Sequence, residues 1–199
     1  MIETHMRTKV QPFFDKVGHT ICVPYHISPN MVTLAAFIAG IVAALFICAD
    51  CLLLALLFLL FSGMCDILDG TVARITNQSQ KVGAYIDLIS DRMVEAAIIL
   101  GFTLLYPQHY LAYIVFFVAV LLHFSTFVAA GALFPNMGKK SMHYDHSIVE
   151  RAEAFVVFAC MMLFPSFIFE LLMFFNIIVI IAGLTRFVRV LDYAKKFDS

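Results

Sequence analysis

Residues 27–65 read ISPNMVTLAAFIAGIVAALFICADCLLLALLFLLFSGMC and contain a single charge, Asp50. At 1.5 Å per helical residue, Ile27 to Ala49 reaches across about 30 Å of hydrocarbon. Cys51 to Cys65 is a second uncharged run, ended by Asp66. Lipid offers no partner to an open backbone N–H or C=O, so such runs are helical. The alternating ten-residue strands of a β-barrel are absent. The rest of the chain repeats the pattern: Ala96 to Gly138 is uncharged and divided by Pro107-Gln108-His109, and Ala154–Phe169 and Leu171–Thr185 are split around Pro165 to Glu170. These runs predict an all-α membrane protein with six transmembrane helices, at about 29–49, 51–75, 84–105, 109–133, 148–167 and 169–193.

Composition agrees. Of 199 residues, 62% are hydrophobic and 14% charged, with a mean hydropathy of +0.94; a soluble domain carries about 25% charged residues. So little polar surface excludes a soluble enzyme, a disordered tail and a secreted disulfide scaffold. Six spans use the whole length, which predicts one domain over 1–199: an amphipathic juxtamembrane segment, 1–26, and a six-helix bundle, 27–193. A net charge of −1 provides no field for nucleic acid.

The charges then orient the chain. With six spans, all 13 Lys and Arg fall on one side, and only Asp50-Cys51, Pro107–His109 and Ser166–Glu170 on the other. The positive-inside rule makes the basic side cytoplasmic, with both termini there, in a multi-pass protein of the cell's inner (cytoplasmic) membrane. Five or seven spans would scatter the charges. Val10, Phe13, Phe14, Val17 and Ile21 recur at helical spacing with Lys9, Asp15 and Lys16 between them, which predicts a short N-terminal amphipathic helix on the cytoplasmic surface.

Carboxylates beside a span are costly and need a reason. Asp66 and Asp69 (i, i+3) share a face at the end of the second helix, and Asp87 and Asp91 (i, i+4) share one at the start of the third. A short loop makes these helices antiparallel neighbours, so the four acids can converge. Like charges that close require protons or cations, and an all-oxygen set suits hard divalent ions. Pairing with Arg74, Lys81 and Arg92 alone is the plainer alternative. Between the acids stand Gly70, Ala73 and Gly83, small enough to let a ligand approach the backbone, and Arg74, suited to phosphate.

The string Asp66-x2-Asp69-Gly70-x2-Ala73-Arg74-x8-Gly83-x3-Asp87-x3-Asp91 resembles the signature of the CDP-alcohol phosphotransferases (CDP-alcohol phosphatidyltransferases), integral membrane phospholipid synthases, at all eight fixed positions. The helix plan, the amphipathic leader and Ser28-Pro29-Asn30-x2-Thr33 extend the likeness over most of the chain. The resemblance implies a transferase of substituted phosphate groups in phospholipid biosynthesis. It would move a phosphatidyl-type group from a CDP-linked lipid donor, such as CDP-diacylglycerol, to an alcohol, releasing CMP. It implies that Asp66, Asp69, Asp87 and Asp91 hold two divalent ions, Mg2+ or Mn2+, and that Asp91 is the general base. It assigns Asn30, Thr33, Asp69, Gly70, Ala73, Arg74 and Gly83 to the CDP donor, and a homodimer to the assembly.

For the acceptor, Lys139, Lys140, Arg151 and Arg189 are cations on the side of the acids. They suit a phosphorylated polyol, and members of the family that use inositol phosphate carry a similar set. Those members often carry a second Arg where this chain has Ala154, so glycerol 3-phosphate stays open, as does an unphosphorylated alcohol such as serine. For Lys139 and Lys140, simple positive-inside topology explains the charge equally well. A cation transporter would use the same carboxylates, but nearer the bilayer midplane and with repeat symmetry, which this chain lacks. Cys48-x2-Cys51 lies on the opposite side from the chemistry, where a disulfide stays open.

Overall fold

A computed structural model describes residues 2–77, 81–133 and 151–195, with side chains from Val10 onward, Arg151 excepted. Seven helices are described: α1 (Ile2–Val17), α2 (Pro29–Cys48), α3 (Leu52–Ile75), α4 (Lys81–Leu105), α5 (Tyr110–Leu133), α6 (Arg151–Leu163) and α7 (Ile168–Lys195). There is no strand among the described residues.

The breaks follow local chemistry. Ser28 caps α2, its Oγ accepting from the Met31 N–H at 3.3 Å, with Pro29 at the first helical position where no N–H is needed. Asp50 turns the chain from α2 into α3 with a φ of 57°, a left-handed conformation that Asp tolerates better than most residues. Pro107 and Pro165 each open a single 3-10 turn, before α5 and α7. The N-terminal helix starts earlier than the apolar spacing indicates, and passes through a π turn at Gly18–Cys22. Phe14 is buried, whereas Phe13 and Ile21 are exposed.

The helices group into two compact units, α1 to α4 with α6, and α5 with α7. In the first, α2 meets α3 and α4 through small residues. A Cβ on Gly40 would stand 2.5 Å from both γ carbons of Val94, and one on Gly101 would stand 2.9 Å from the Ala44 carbonyl oxygen. The Ser62 hydroxyl donates to the Ala36 carbonyl at 2.7 Å, tying α3 to α2. Gly63 packs against Phe155 of α6. In the second unit, Asn176 of α7 donates to the Ala112 carbonyl of α5 at 2.9 Å, and Phe116 stacks on Phe175. Further along, buried Arg186 donates to the His123 carbonyl at 3.1 Å and lies 5.4 Å from the Phe127 ring centre.

Leu53, Leu57, Leu60, Leu104, Leu111, Val118 and Leu121 are exposed. So many exposed large apolar side chains belong in lipid, and the protein is an integral membrane protein. Where six spans are expected, four helical segments among the described residues combine the length and apolarity of a span: Pro29–Cys48, Leu52–Ile75, Pro107–Leu133 and Pro165–Lys195. Asp87, Asp91, Arg92 and Glu95 fall within the first 15 residues of α4 and make that stretch polar, and α6 is described over 13 residues only. The first three residues expected for α6, 148–150, lie outside the described residues.

Gly40 gives the fold a direct test. Val94 is β-branched and held to one rotamer in a helix, so it has no room to move aside. Gly40→Ala is expected to lower stability by about 1–3 kcal/mol, despite alanine's higher helix propensity. Thermal unfolding in detergent measures it, and a Tm at or above wild type contradicts the close α2–α4 contact.

Candidate active site

The last turns of α3 and the first of α4 carry the acidic string. Asp66 and Asp69 point the same way because three residues make nearly one turn. Carboxylate oxygens of Asp66, Asp69 and Asp87 all lie within 4.8 Å of one another. Asp69 is buried, and the other two are half-buried. Asp91 is half-buried and stands outside this trio, about 6 Å further along the α4 axis at 1.5 Å per residue.

Other expected site residues frame the trio. Thr33 is buried on α2, with its Oγ1 2.6 Å from Asp69 Oδ2 and 3.1 Å from the Pro29 carbonyl oxygen. The shorter contact has the length of an O–H···O bond to a charged acceptor. Thr33 therefore braces a carboxylate, a role its sequence position does not reveal. Asn30, one turn earlier, brings its Oδ1 to 3.2 Å from where a Cβ on Gly83 would lie, so α2 and α4 meet at these two residues. Among the described residues the space around Gly70 is open: of these, a Cβ there would meet only Arg74 Nη1, at 3.7 Å. Ala73 is half-buried, and Arg74 is exposed with its Nη2 donating to Thr71 Oγ1 at 3.0 Å. Further along α4, Arg92 Nη2 pairs with buried Glu95 at 2.6 Å.

The expected acceptor residues are placed less completely. Lys139 and Lys140 lie outside the described residues, and Arg151 is the first residue of α6. Arg189 is exposed near the end of α7, in the second unit.

Residues 26–188 match the family model of CDP-alcohol phosphatidyltransferase. The chain belongs to this family. It is thus a transferase of phosphate-containing groups, as the acidic string implies. It is 28% identical over 174 residues to the inner membrane protein YnjF of Escherichia coli, covering 83% of this chain and 84% of that protein. It is 30% identical over 99 residues to the archaetidylinositol phosphate synthase of Pyrococcus horikoshii, covering 50% and 52%. Its fold is that of Mycobacterium tuberculosis phosphatidylinositol phosphate synthase. The crystal structure of that enzyme with CDP-DAG bound aligns with a TM-score of 0.75 at 17% identity, over 89% of this chain and 92% of that one. A second structure of the same enzyme holds manganese and citrate and also aligns at 0.75, with 18% identity over 89% and 88%.

Bracing of Asp69 by Thr33 is testable without an assay of transfer. Thr33→Val keeps the shape and removes the donor, and should lower unfolding stability by about 1–3 kcal/mol. Thr33→Ser should keep most of it. Equal Tm values for wild type and Thr33→Val would rule out the bond.

Proposed function

We propose that this protein transfers a phosphatidyl-type group from a CDP-linked lipid, CDP-diacylglycerol in the first instance, to a phosphorylated polyol, releasing CMP. The observation that carries this reading is the Asp66, Asp69 and Asp87 trio, set within a string that matches the family signature at every fixed position. Inositol phosphate is the first acceptor to test, supported by the relatives named for inositol lipid phosphates.

The trio suits divalent metal. Two oxygens on one Mg2+ at 2.0–2.1 Å stand at most about 4.2 Å apart, so oxygens within 4.8 Å need to draw in only slightly. Asp66, Asp69 and Asp87 would hold two ions, Mg2+ or Mn2+, with Asp91 completing the set. When bound, such ions neutralise the diphosphate and the charge that builds on departing CMP. The chain's own residues do the rest. Arg74 receives diphosphate oxygens, and Gly70, Ala73 and Gly83 leave room for the nucleotide beside Asn30 and the Thr33–Asp69 pair. Asp91, one turn beyond the trio, accepts the proton of the acceptor hydroxyl as its oxygen bonds to phosphorus and the bond from phosphorus to the CMP oxygen breaks. Lys139, Lys140, Arg151 and Arg189 hold the acceptor's phosphate.

The same reading takes residues 1–199 as one domain with α2 to α7 as six spans. The site and both termini are cytoplasmic, and the assembly is a homodimer. The charge distribution along the sequence supports the orientation. Exposed Phe13 and Ile21, with Lys16 on the same segment, support a membrane-surface α1.

Purified protein supplied with CDP-diacylglycerol, Mg2+ or Mn2+ and inositol 1-phosphate should release CMP, stop in chelator and recover when metal is restored. Glycerol 3-phosphate, serine and inositol complete the panel. No CMP with any acceptor defeats the reading, and CMP with serine alone defeats the phosphorylated-acceptor assignment. Asp91→Asn should lose transfer by at least about 100-fold while still binding CDP; loss of CDP binding would restrict Asp91 to its part in the metal set and remove it as the base.

A further inference from the structure

Thr71 occupies a position the acidic string leaves open, between Gly70 and Ala73, and its side chain is fully buried. A hydroxyl has one proton to give and two lone pairs to receive. Thr71 uses all three. It donates to the Ile67 carbonyl at 2.9 Å and accepts from Arg74 Nη2 and Gln11 Nε2, both at 3.0 Å. Gln11 belongs to α1, 60 residues away in the chain. Its amide nitrogen spends its other proton on Asp15 Oδ1 at 2.7 Å. That bond fixes the amide's orientation, because the reverse would set an oxygen against a carboxylate. The π turn that follows α1 lies against the same stretch of α3: a Cβ on Gly18 would stand 2.9 Å from Ile75 Cδ1 and 3.7 Å from Thr71 Cγ2.

Arg74, in contrast, is exposed, and a free arginine side chain carries about 2 kcal/mol of rotamer entropy. Holding one of its nitrogens in advance, with the other beside Gly70, lowers the ordering that a bound phosphate would impose. Geometry thus links α1 to the guanidinium by one continuous path, from Asp15 through Gln11 and Thr71 to Arg74.

We propose that Gln11 and Thr71 are positioning residues for Arg74, so that docking of α1 on α3 sets the affinity of the site for the donor diphosphate. This rests on the reading of Arg74 as a donor-binding residue.

The test is equilibrium binding of CDP-diacylglycerol in detergent, with donor and acceptor KM beside it, for Gln11→Leu, Thr71→Val, Thr71→Ser and Arg74→Ala. Gln11→Leu and Thr71→Val should each weaken donor binding about three- to thirty-fold, the loss of one or two hydrogen bonds to a charged path. Acceptor KM should stay within about two-fold, and Thr71→Ser should bind as wild type does. Because both variants cut one path, Gln11→Leu/Thr71→Val should be weaker than wild type by less than the product of the single effects. Wild-type donor affinity in Gln11→Leu and Thr71→Val overturns the proposal. So does a parallel rise of both KM values that Thr71→Ser does not rescue, the mark of a merely structural role. If Thr71→Val fails to fold, Gln11→Leu decides, since Gln11 lies at the half-buried edge of α1. Unchanged donor affinity in Arg74→Ala defeats the donor-site reading itself, whereas weakened binding there with unaffected Gln11→Leu defeats only the positioning.

Discussion

Three carboxylates held within 4.8 Å of one another, where the end of α3 meets the start of α4, repel one another in a medium that screens poorly. Much of the first compact unit is arranged around that repulsion. Gly40 makes room for the Val94 side chain and Gly101 for the Ala44 carbonyl, so α2 and α4 pack closely, and Ser62 ties α3 to α2. With α2 fixed in this way, the Thr33 hydroxyl reaches Asp69 and Asn30 reaches Gly83. Side chains of this length need backbones placed to within a fraction of an ångström, and close helix contacts through glycine provide that placement.

Other charged groups are also held by neighbours. Arg92 and Glu95 pair on α4, where an isolated buried carboxylate would be costly. Arg74 is joined through Thr71 to α1. In the second unit, Arg186 is buried against a carbonyl and an aromatic ring. A chain with few charges thus gives several of them a defined partner, which is what a low-dielectric setting requires.

Much of this was legible in the sequence. The helix ends inside the described stretches fall within a few residues of the expected ones because they are set by local signals: Ser28-Pro29, Asp50, Pro107 and Pro165. The convergence of Asp66, Asp69 and Asp87 follows from helical spacing and a short connection. The family was readable from the eight-position string, and residues 26–188 match its model. What could not be read are contacts between residues distant in the chain. Thr33 is 36 residues from Asp69, and Gln11 is 60 from Thr71, and neither pair leaves a periodic trace. Asp91 shares a face with Asp87 by spacing, yet one turn of rise separates it from the trio. Among the described residues, length and apolarity single out four spans; α4 is not among them because Asp87, Asp91, Arg92 and Glu95 lower its hydropathy, and α6 is described over 13 residues only.

The proposed function depends on this trio holding metal. Electron paramagnetic resonance of Mn2+ titrated into the purified protein tests it without substrate. Wild type is expected to bind Mn2+ with loss of the free-ion signal, and Asp69→Ala to leave that signal at the level of a protein-free control. Equal binding by wild type and Asp69→Ala, or none by wild type, would contradict the account.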